Sequence, residues 1–302
     1  MAARALSLVA LAALLAGCGS SATSRARRAV APAVPTLGFR YDTSAPLRYV
    51  DRGVVDRGSG VAVHDVSFLS EGLRVEGYLV VPREGGRRPA VVVVHGSGGD
   101  RRELLAEAKR LAATRRIVAL TITEPSTSHP PRPVATIAAF LRQTQATQIR
   151  DVVAVRRAVD MLQSLPQVDP SRIGYLGWSA GAKNGTFVAA SEPRVKALAL
   201  LSAGADRLAA FVAHAPPGTK ASVRRILGSV DPLRYIARAR PGSVLLEDGT
   251  RDEVIPREAL LNVIHAAPRG TTVRWFPGPH ALDRGAFDAA FSWLAQKLAS
   301  GR

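Results

Sequence analysis

Within the 302 residues, the pentapeptide Gly177-Trp178-Ser179-Ala180-Gly181 has the residue types that nucleophilic catalysis needs. A serine on a sharp strand-to-helix turn is held at positive φ, and the surrounding backbones crowd so closely that flanking glycines supply the room. The apolar run 173–176 precedes the motif, and a small-residue segment of helical character begins at Ala180. A helix N-terminus there aims free N–H groups and partial positive charge at the reacting centre, which makes the Ala180 amide a candidate oxyanion donor. A second donor is expected from His95-Gly96-Ser97-Gly98-Gly99, which closes another apolar run and can curl over its strand tip. The Ser97 amide is the predicted donor, with those of Gly96 and Gly98 as alternatives. The His95 side chain is read as a hydrogen-bonding group that shapes the loop.

A serine hydroxyl is a poor nucleophile without an adjacent base, itself oriented by a carboxylate. In the chain order serine, acid, histidine, His280 fits as the base because it follows the last predicted strand in Phe276-Pro277-Gly278-Pro279-His280. His265 falls inside a predicted helix, and His64, His129 and His214 lie before the motif or away from any strand end. For the acid, the turn Asp248-Gly249-Thr250-Arg251-Asp252 follows the apolar run 244–247. Asp252 is favoured because it clears the strand tip, and Asp248 is the alternative. Asp231 reads as a helix-start residue and Asp283 as a surface residue after the histidine. No metal-ligand spacing and no cysteine in the folded body point to other chemistry.

The elements that must hold these residues alternate between short apolar runs and longer helical patterns, the signature of stacked βαβ units. Residues 61–70 and 73–82, separated by Glu71-Gly72, predict an antiparallel hairpin at one sheet edge. Strands are predicted at 90–95, 117–123, 173–177, 195–202, 244–247 and 272–276; the four valines of the first suit a strand buried on both faces. Helices are predicted at 102–113, 149–165, 180–191, 256–266 and 284–298, the last with Phe287, Phe291, Leu294 and Leu298 on one core-facing side. Residues 124–146, with four prolines, and 206–241 break the alternation and follow strands, so both are expected at a substrate-facing rim. Leu208, Phe211, Val212, Val223, Ile226 and Leu227 make 206–240 a candidate cap, while Glu124, Arg101 and Arg102 are candidate contacts to a polar substrate group.

Gly177–Gly181 with His95-Gly96, Asp252 and His280 resembles the α/β-hydrolase superfamily from about Phe39 onward. Within it, Val168-Asp169-Pro170-Ser171-Arg172-Ile173-Gly174 and Asp231-Pro232-Leu233-Arg234-Tyr235-Ile236 are similar to the dienelactone hydrolase and prolyl-oligopeptidase-like branch. The resemblance implies an α/β fold with about eight mostly parallel strands and helices on both faces, no metal and no organic cofactor. It implies a serine hydrolase with a small-molecule ester as substrate, or a peptidase or amidase of the same fold. Dienelactone hydrolases proper carry cysteine where this chain has Ser179, which argues against dienelactone itself. Peptidases of the branch usually carry a large N-terminal propeller, and the roughly 40 residues between Cys18 and the first predicted strand leave no space for one. A non-catalytic, membrane-tethered binding protein is the remaining alternative; a binding scaffold has no physical need for a full triad.

The single cysteine, Cys18, rules out an intramolecular disulfide. Arg4 followed by the apolar residues 5–16 has the form of a secretory signal, and Leu15-Ala16-Gly17-Cys18 resembles the lipobox of bacterial lipoproteins, with Cys18 as the lipidation site. The expected organisation is a signal peptide at 1–17, a flexible tether at 18–38 and one domain at 39–302, lipid-anchored to the outer face of a bacterial membrane. The net charge of +17 comes from 41 Lys and Arg against 24 Asp and Glu. The arginines are scattered rather than striped and no nucleic-acid-binding motif accompanies them, so a solvated basic surface is expected and nucleic acid is not a partner.

Overall fold

The computed structural model describes residues 38–58 and 60–299. The predicted signal peptide, Cys18 and the tether up to residue 37 lie outside the described residues. In chain order the elements are β1 (Val50–Asp56), β2 (Val61–Ser70), β3 (Leu73–Pro82), β4 (Arg88–Val94), α1 (Leu105–Arg115), β5 (Val118–Ile122), α2 (Pro125–Ser128), α3 (Ile137–Ser164), β6 (Val168–Trp178), α4 (Ala180–Ser191) and β7 (Val195–Leu201). There follow α5 (Leu208–His214), α6 (Lys220–Gly228), α7 (Pro232–Ile236), β8 (Val244–Gly249), α8 (Arg257–Ala266), β9 (Thr272–Phe276) and α9 (Arg284–Ala299).

The strands form one mixed sheet in the order β1-β2-β3-β5-β4-β6-β7-β8-β9. Strands β1 to β3 pair antiparallel with one another and onto β5, and all pairs from β5 to β9 are parallel. This is the predicted α/β-hydrolase architecture. The sheet has nine strands rather than about eight, because β1 precedes the first predicted strand and pairs outside the hairpin, which is therefore not the edge. The turn between β2 and β3 is as read: Glu71 (φ 47°) and Gly72 (φ +79°) both take the left-handed conformation that a two-residue hairpin requires.

Burial on both faces explains the valine run of β4. Ala90, Val92 and Val94 point into one core layer with residues of α3, α4 and α7, while Val91 and Val93 point into the other with residues of α1 and α9. Phe287, Phe291, Leu294 and Leu298 of α9 lie in that second layer, as predicted. On the α4 side, Phe187 sits at the centre of an aromatic trio, with ring centroids 5.5 Å from Phe39 and 5.1 Å from Tyr235. Asp231 caps α7 by accepting from Leu233 N at 3.0 Å, and so holds Tyr235 against α4.

The strand order reverses direction at β4. The chain leaves β4 through α1 to β5 on one side, whereas β6, on β4's other side, feeds α4 and β7. At such a point the loops leaving two adjacent parallel strands diverge and open a crevice at their carboxyl ends. The register Val94↔Gly177 ends β4 and β6 at one level and puts His95–Gly99 beside Ser179.

The helix predicted at 149–165 begins twelve residues earlier, at Ile137. Thr136 supplies the start, its hydroxyl accepting from Ala139 N at 3.2 Å. Among the described residues no helix is long and apolar enough to cross a membrane. Replacing Phe187 by Ala removes the ring around which α4 packs and is expected to cost about 3–5 kcal/mol. Urea unfolding of Phe187→Ala checks this; a loss below about 1 kcal/mol would mean that the trio does not anchor α4.

Candidate active site

Ser179 adopts φ 54° and ψ −113°, the strained turn expected of a nucleophile between strand and helix. The strain is held by backbone bonds on both sides: Ser179 N donates to Leu201 O at 2.9 Å, and Gly181 N donates to His95 O at 3.0 Å. Neither flanking glycine tolerates a side chain. A Cβ on Gly177 would lie 2.5 Å from the Gly181 carbonyl carbon, and one on Gly181 would collide with the Val94 carbonyl oxygen.

Three strand-end loops bring the predicted trio together. His280 Nε2 lies 2.9 Å from Ser179 Oγ, and His280 Nδ1 lies 2.8 Å from Asp252 Oδ2. Asp252 is oriented by its own turn, since Oδ1 accepts from Val254 N at 2.9 Å and Ile255 N at 2.8 Å. That leaves Oδ2 for the imidazole. Both side chains are nearly buried, with His280 9% and Asp252 2% exposed. The alternative acid, Asp248, is buried beneath the turn and accepts from the Ala203 backbone, and His265 is exposed on α8.

Residues that the sequence did not single out clamp the histidine loop. Trp178 Nε1 and Ser202 Oγ both donate to His280 O, at 3.2 and 3.1 Å, and His280 N donates to Glu253 Oε2 at 3.1 Å. Trp178 also stacks obliquely on the imidazole, 5.4 Å between centroids. Trp178 was legible as a motif member but not as a clamp. Ser202 gave one signal, its place at the end of the strand predicted at 195–202.

The other strand tip is held as predicted. The buried His95 ring lies with Nδ1 2.7 Å from Gly96 O and accepts from Glu124 N through Nε2 at 3.1 Å, tying the β4 tip to the β5 tip. Of the three amides weighed as second oxyanion donor, Gly96 N is already bonded to Glu103 Oε2 at 2.7 Å. Ser97 and Ala180 line one cavity of about 470 Å³.

The walls of this cavity come from the 95–98 loop, α4 and residues 124–151. The rim expected from 124–146 is there. Of the segment weighed as a cap, Val212, Val223 and Ile226 pack with Leu141 of α3, and no residue of 206–240 lines this cavity. Arg101 is engaged with Asp65 at 2.7 Å and lies over the Tyr78 ring, Arg102 pairs with Asp100 at 2.5 Å, and neither lines the cavity. Glu124 does line the cavity.

A model of the dienelactone hydrolase family matches residues 75–281, more than two thirds of the chain. The chain belongs to the dienelactone hydrolase family. No curated protein matches it. Among solved structures it is similar to acetyl xylan esterase 1 from Thermoanaerobacterium sp. JW/SL YS485, with 18% identity, TM-score 0.71 and coverage of 85% of this chain and 90% of that one. Acetyl xylan esterase from Paenibacillus sp. R4 gives 18%, 0.68, 83% and 89%, and an S-formylglutathione hydrolase from Agrobacterium tumefaciens 17%, 0.63, 82% and 99%. These likenesses establish the shared fold.

Two carboxyls of this family member stand under the acid turn. Burial pushes both Glu247 and Asp248 up to about 7, although Glu247 keeps Arg274 at 3.0 Å. In the unfolded chain a carboxyl titrates near 4. As pH rises the unfolded chain loses these protons first, so stability falls between roughly pH 4 and 7 and stays lower above that. Asp248→Asn keeps an acceptor for the Ala203 amide without the titration. It is expected to be more stable than wild type at pH 8 by about 1–3 kcal/mol, with little difference at pH 4. Urea unfolding at the two pH values measures this, and an equal effect at both would mean that Asp248 is not held neutral.

Proposed function

We propose that the chain is a serine hydrolase that cleaves carboxylic esters through an acyl-enzyme. The observation that carries this reading is the unbroken relay from Ser179 Oγ through His280 to Asp252, with separations of 2.9 and 2.8 Å. Ser179 Oγ attacks the ester carbonyl carbon and its proton passes to His280 Nε2. The Ser97 and Ala180 amides donate to the oxyanion. Collapse of the intermediate expels the alcohol, which takes the proton from His280. A water then gives a proton to His280, attacks the acyl-enzyme and releases the acid, and Ser179 recovers its proton. Asp252 fixes the imidazole tautomer that carries its proton on Nδ1.

Family membership supports hydrolytic chemistry, and two of the structural neighbours given above are named esterases. The elbow serine in place of cysteine favours simple oxygen esters over dienelactone. The sequence Leu15-Ala16-Gly17-Cys18 supports an exported form, lipid-anchored through Cys18 to the outer face of a bacterial membrane, with the domain from residue 39 carried on a tether. Residues 206–240 then serve as a buttress for α3.

Ser179→Ala is expected to lose at least three orders of magnitude in kcat for 4-nitrophenyl acetate and all labelling by a fluorophosphonate probe. Retained hydrolysis by that variant would overturn the assignment, and faster cleavage of aminoacyl anilides than of esters by the wild type would make the chain a peptidase. Cys18→Ser is expected to move the full-length protein, expressed in a bacterium, from the detergent phase to the aqueous phase in detergent partitioning. Unchanged partitioning would remove the anchor.

A further inference from the structure

The cavity beside Ser97 and Ala180 lacks the lining that an acyl chain would need. Ligand pockets of this size are usually lined mainly by apolar side chains, yet among the described residues no Leu, Ile, Val or Met lines this one. Its wall is instead a run of neutral hydrogen-bonding groups, Ser126, Thr127, Gln143, Thr144, Thr147 and Gln148, contributed by α2 and one face of α3. Deeper in, Gln148 Nε2 donates to Asn184 Oδ1 at 2.6 Å, and Asn184 Nδ2 donates to Glu124 Oε1 at 2.6 Å. Ser126 N donates to Asp151 Oδ1 at 2.9 Å. This buried chain fixes which way the amides point and presents alternating donors and acceptors to the space. At the mouth, Phe140 lines the cavity with 46% of its surface exposed, beside Pro130 and Pro131.

Burial disfavours the charged forms of the wall's Glu124, Asp151 and Lys183. Burial and the neighbouring Asp151 lift Glu124 to about 8, so it holds its proton at pH 7. Burial also raises Asp151 and lowers Lys183, which are held in each other's field. A neutral ligand with many hydroxyls and an apolar ring face suits such a surface. Its hydroxyls exchange water for the amide, hydroxyl and carboxyl groups of the wall, and its C–H face covers the Phe140 ring.

We propose that this cavity is the subsite for a neutral polyhydroxylated alcohol, a sugar or sugar-like polyol, whose short-chain acyl ester is presented to Ser179. The proposal rests on the esterase reading given above, and it names the alcohol that esterase releases.

The test pairs a mono-O-acetylated methyl pyranoside with cyclohexyl acetate, which has the same acyl group and a similar ring without hydroxyls. Calorimetric titration of Ser179→Ala reads binding without turnover. The acetylated glycoside is expected to bind at least tenfold more tightly than cyclohexyl acetate. In otherwise wild-type protein, Gln148→Ala is expected to lower kcat/KM for the glycoside about five- to tenfold, the effect of one good hydrogen bond, and kcat/KM for 4-nitrophenyl acetate less than twofold. Equal or tighter binding of cyclohexyl acetate, or equal losses on both substrates in Gln148→Ala, would overturn the subsite. Preferential glycoside binding with no 4-nitrophenyl acetate hydrolysis would instead overturn the esterase reading and leave the subsite standing.

Discussion

One backbone hydrogen bond ties the site together: Gly181 N donating to His95 O at 3.0 Å. It joins the first turn of α4 to the tip of β4 and sets the distance between the two loops that carry Ser97 and Ala180. For that bond to form, the α4 backbone must touch the Val94 carbonyl, which excludes any Cβ at position 181. The same approach brings Gly177 against Gly181 and drives Ser179 into positive φ. A non-glycine residue in such a conformation costs of order 1–3 kcal/mol and persists only where its surroundings over-determine it. Here they do, since Ser179 N is bonded to Leu201 O and Lys183 N to Ser179 O, each at 2.9 Å.

The histidine loop meets this fixed point from the far side of the sheet. A loop after an outer strand is free to drift by more than the 2.9 Å bond it must make. Its position is set at its backbone: the His280 carbonyl accepts from Trp178 Nε1 and Ser202 Oγ, and its amide donates to Glu253. Trp178 belongs to the elbow and Ser202 to the tip of the neighbouring β7. Ser179 and His280 are therefore positioned by the same two strands, and a shift of one carries the other with it.

That Ser179, Asp252 and His280 meet was legible because each is announced by local chemistry. Small residues flank a serine, an aspartate follows an apolar strand and a turn, and a histidine follows Pro-Gly-Pro. Choosing Asp252 over Asp248 needed only the count of residues past the strand tip. What stayed hidden is governed by tertiary partners. Strand β1 is mostly exposed and bulged, with irregular register on β2, so its apolar residues do not alternate. The first half of α3 has no clean apolar stripe because residues such as Gln143, Thr144 and Thr147 face a polar cavity. Its core contact, Leu141, is matched by residues about 70 to 85 positions later. The apolar residues of 206–240 were read as a cap over the pocket; Val212, Val223 and Ile226 among them pack on Leu141 of α3, while Phe211 is exposed.

The polar run that concealed the start of α3 also separates what the two halves of that helix do. From Gln148 onward the helix turns Val152, Val155, Val159 and Leu162 into the core under β4 and β6. Before it, one face of the helix lines the cavity and the helix also packs on α6. A helix held at one end by a packed core and along the other by Leu141, Val212, Val223 and Ile226 is a rigid beam. Gln143, Thr144 and Thr147 on its cavity face belong to neither main core layer, while the buried Gln148 and Asp151 are hydrogen-bonded to Asn184 and Ser126. Elbow and cavity wall are thus different kinds of structure: one is fixed by backbone contact that admits no side chain, the other is made by polar side chains outside both main core layers.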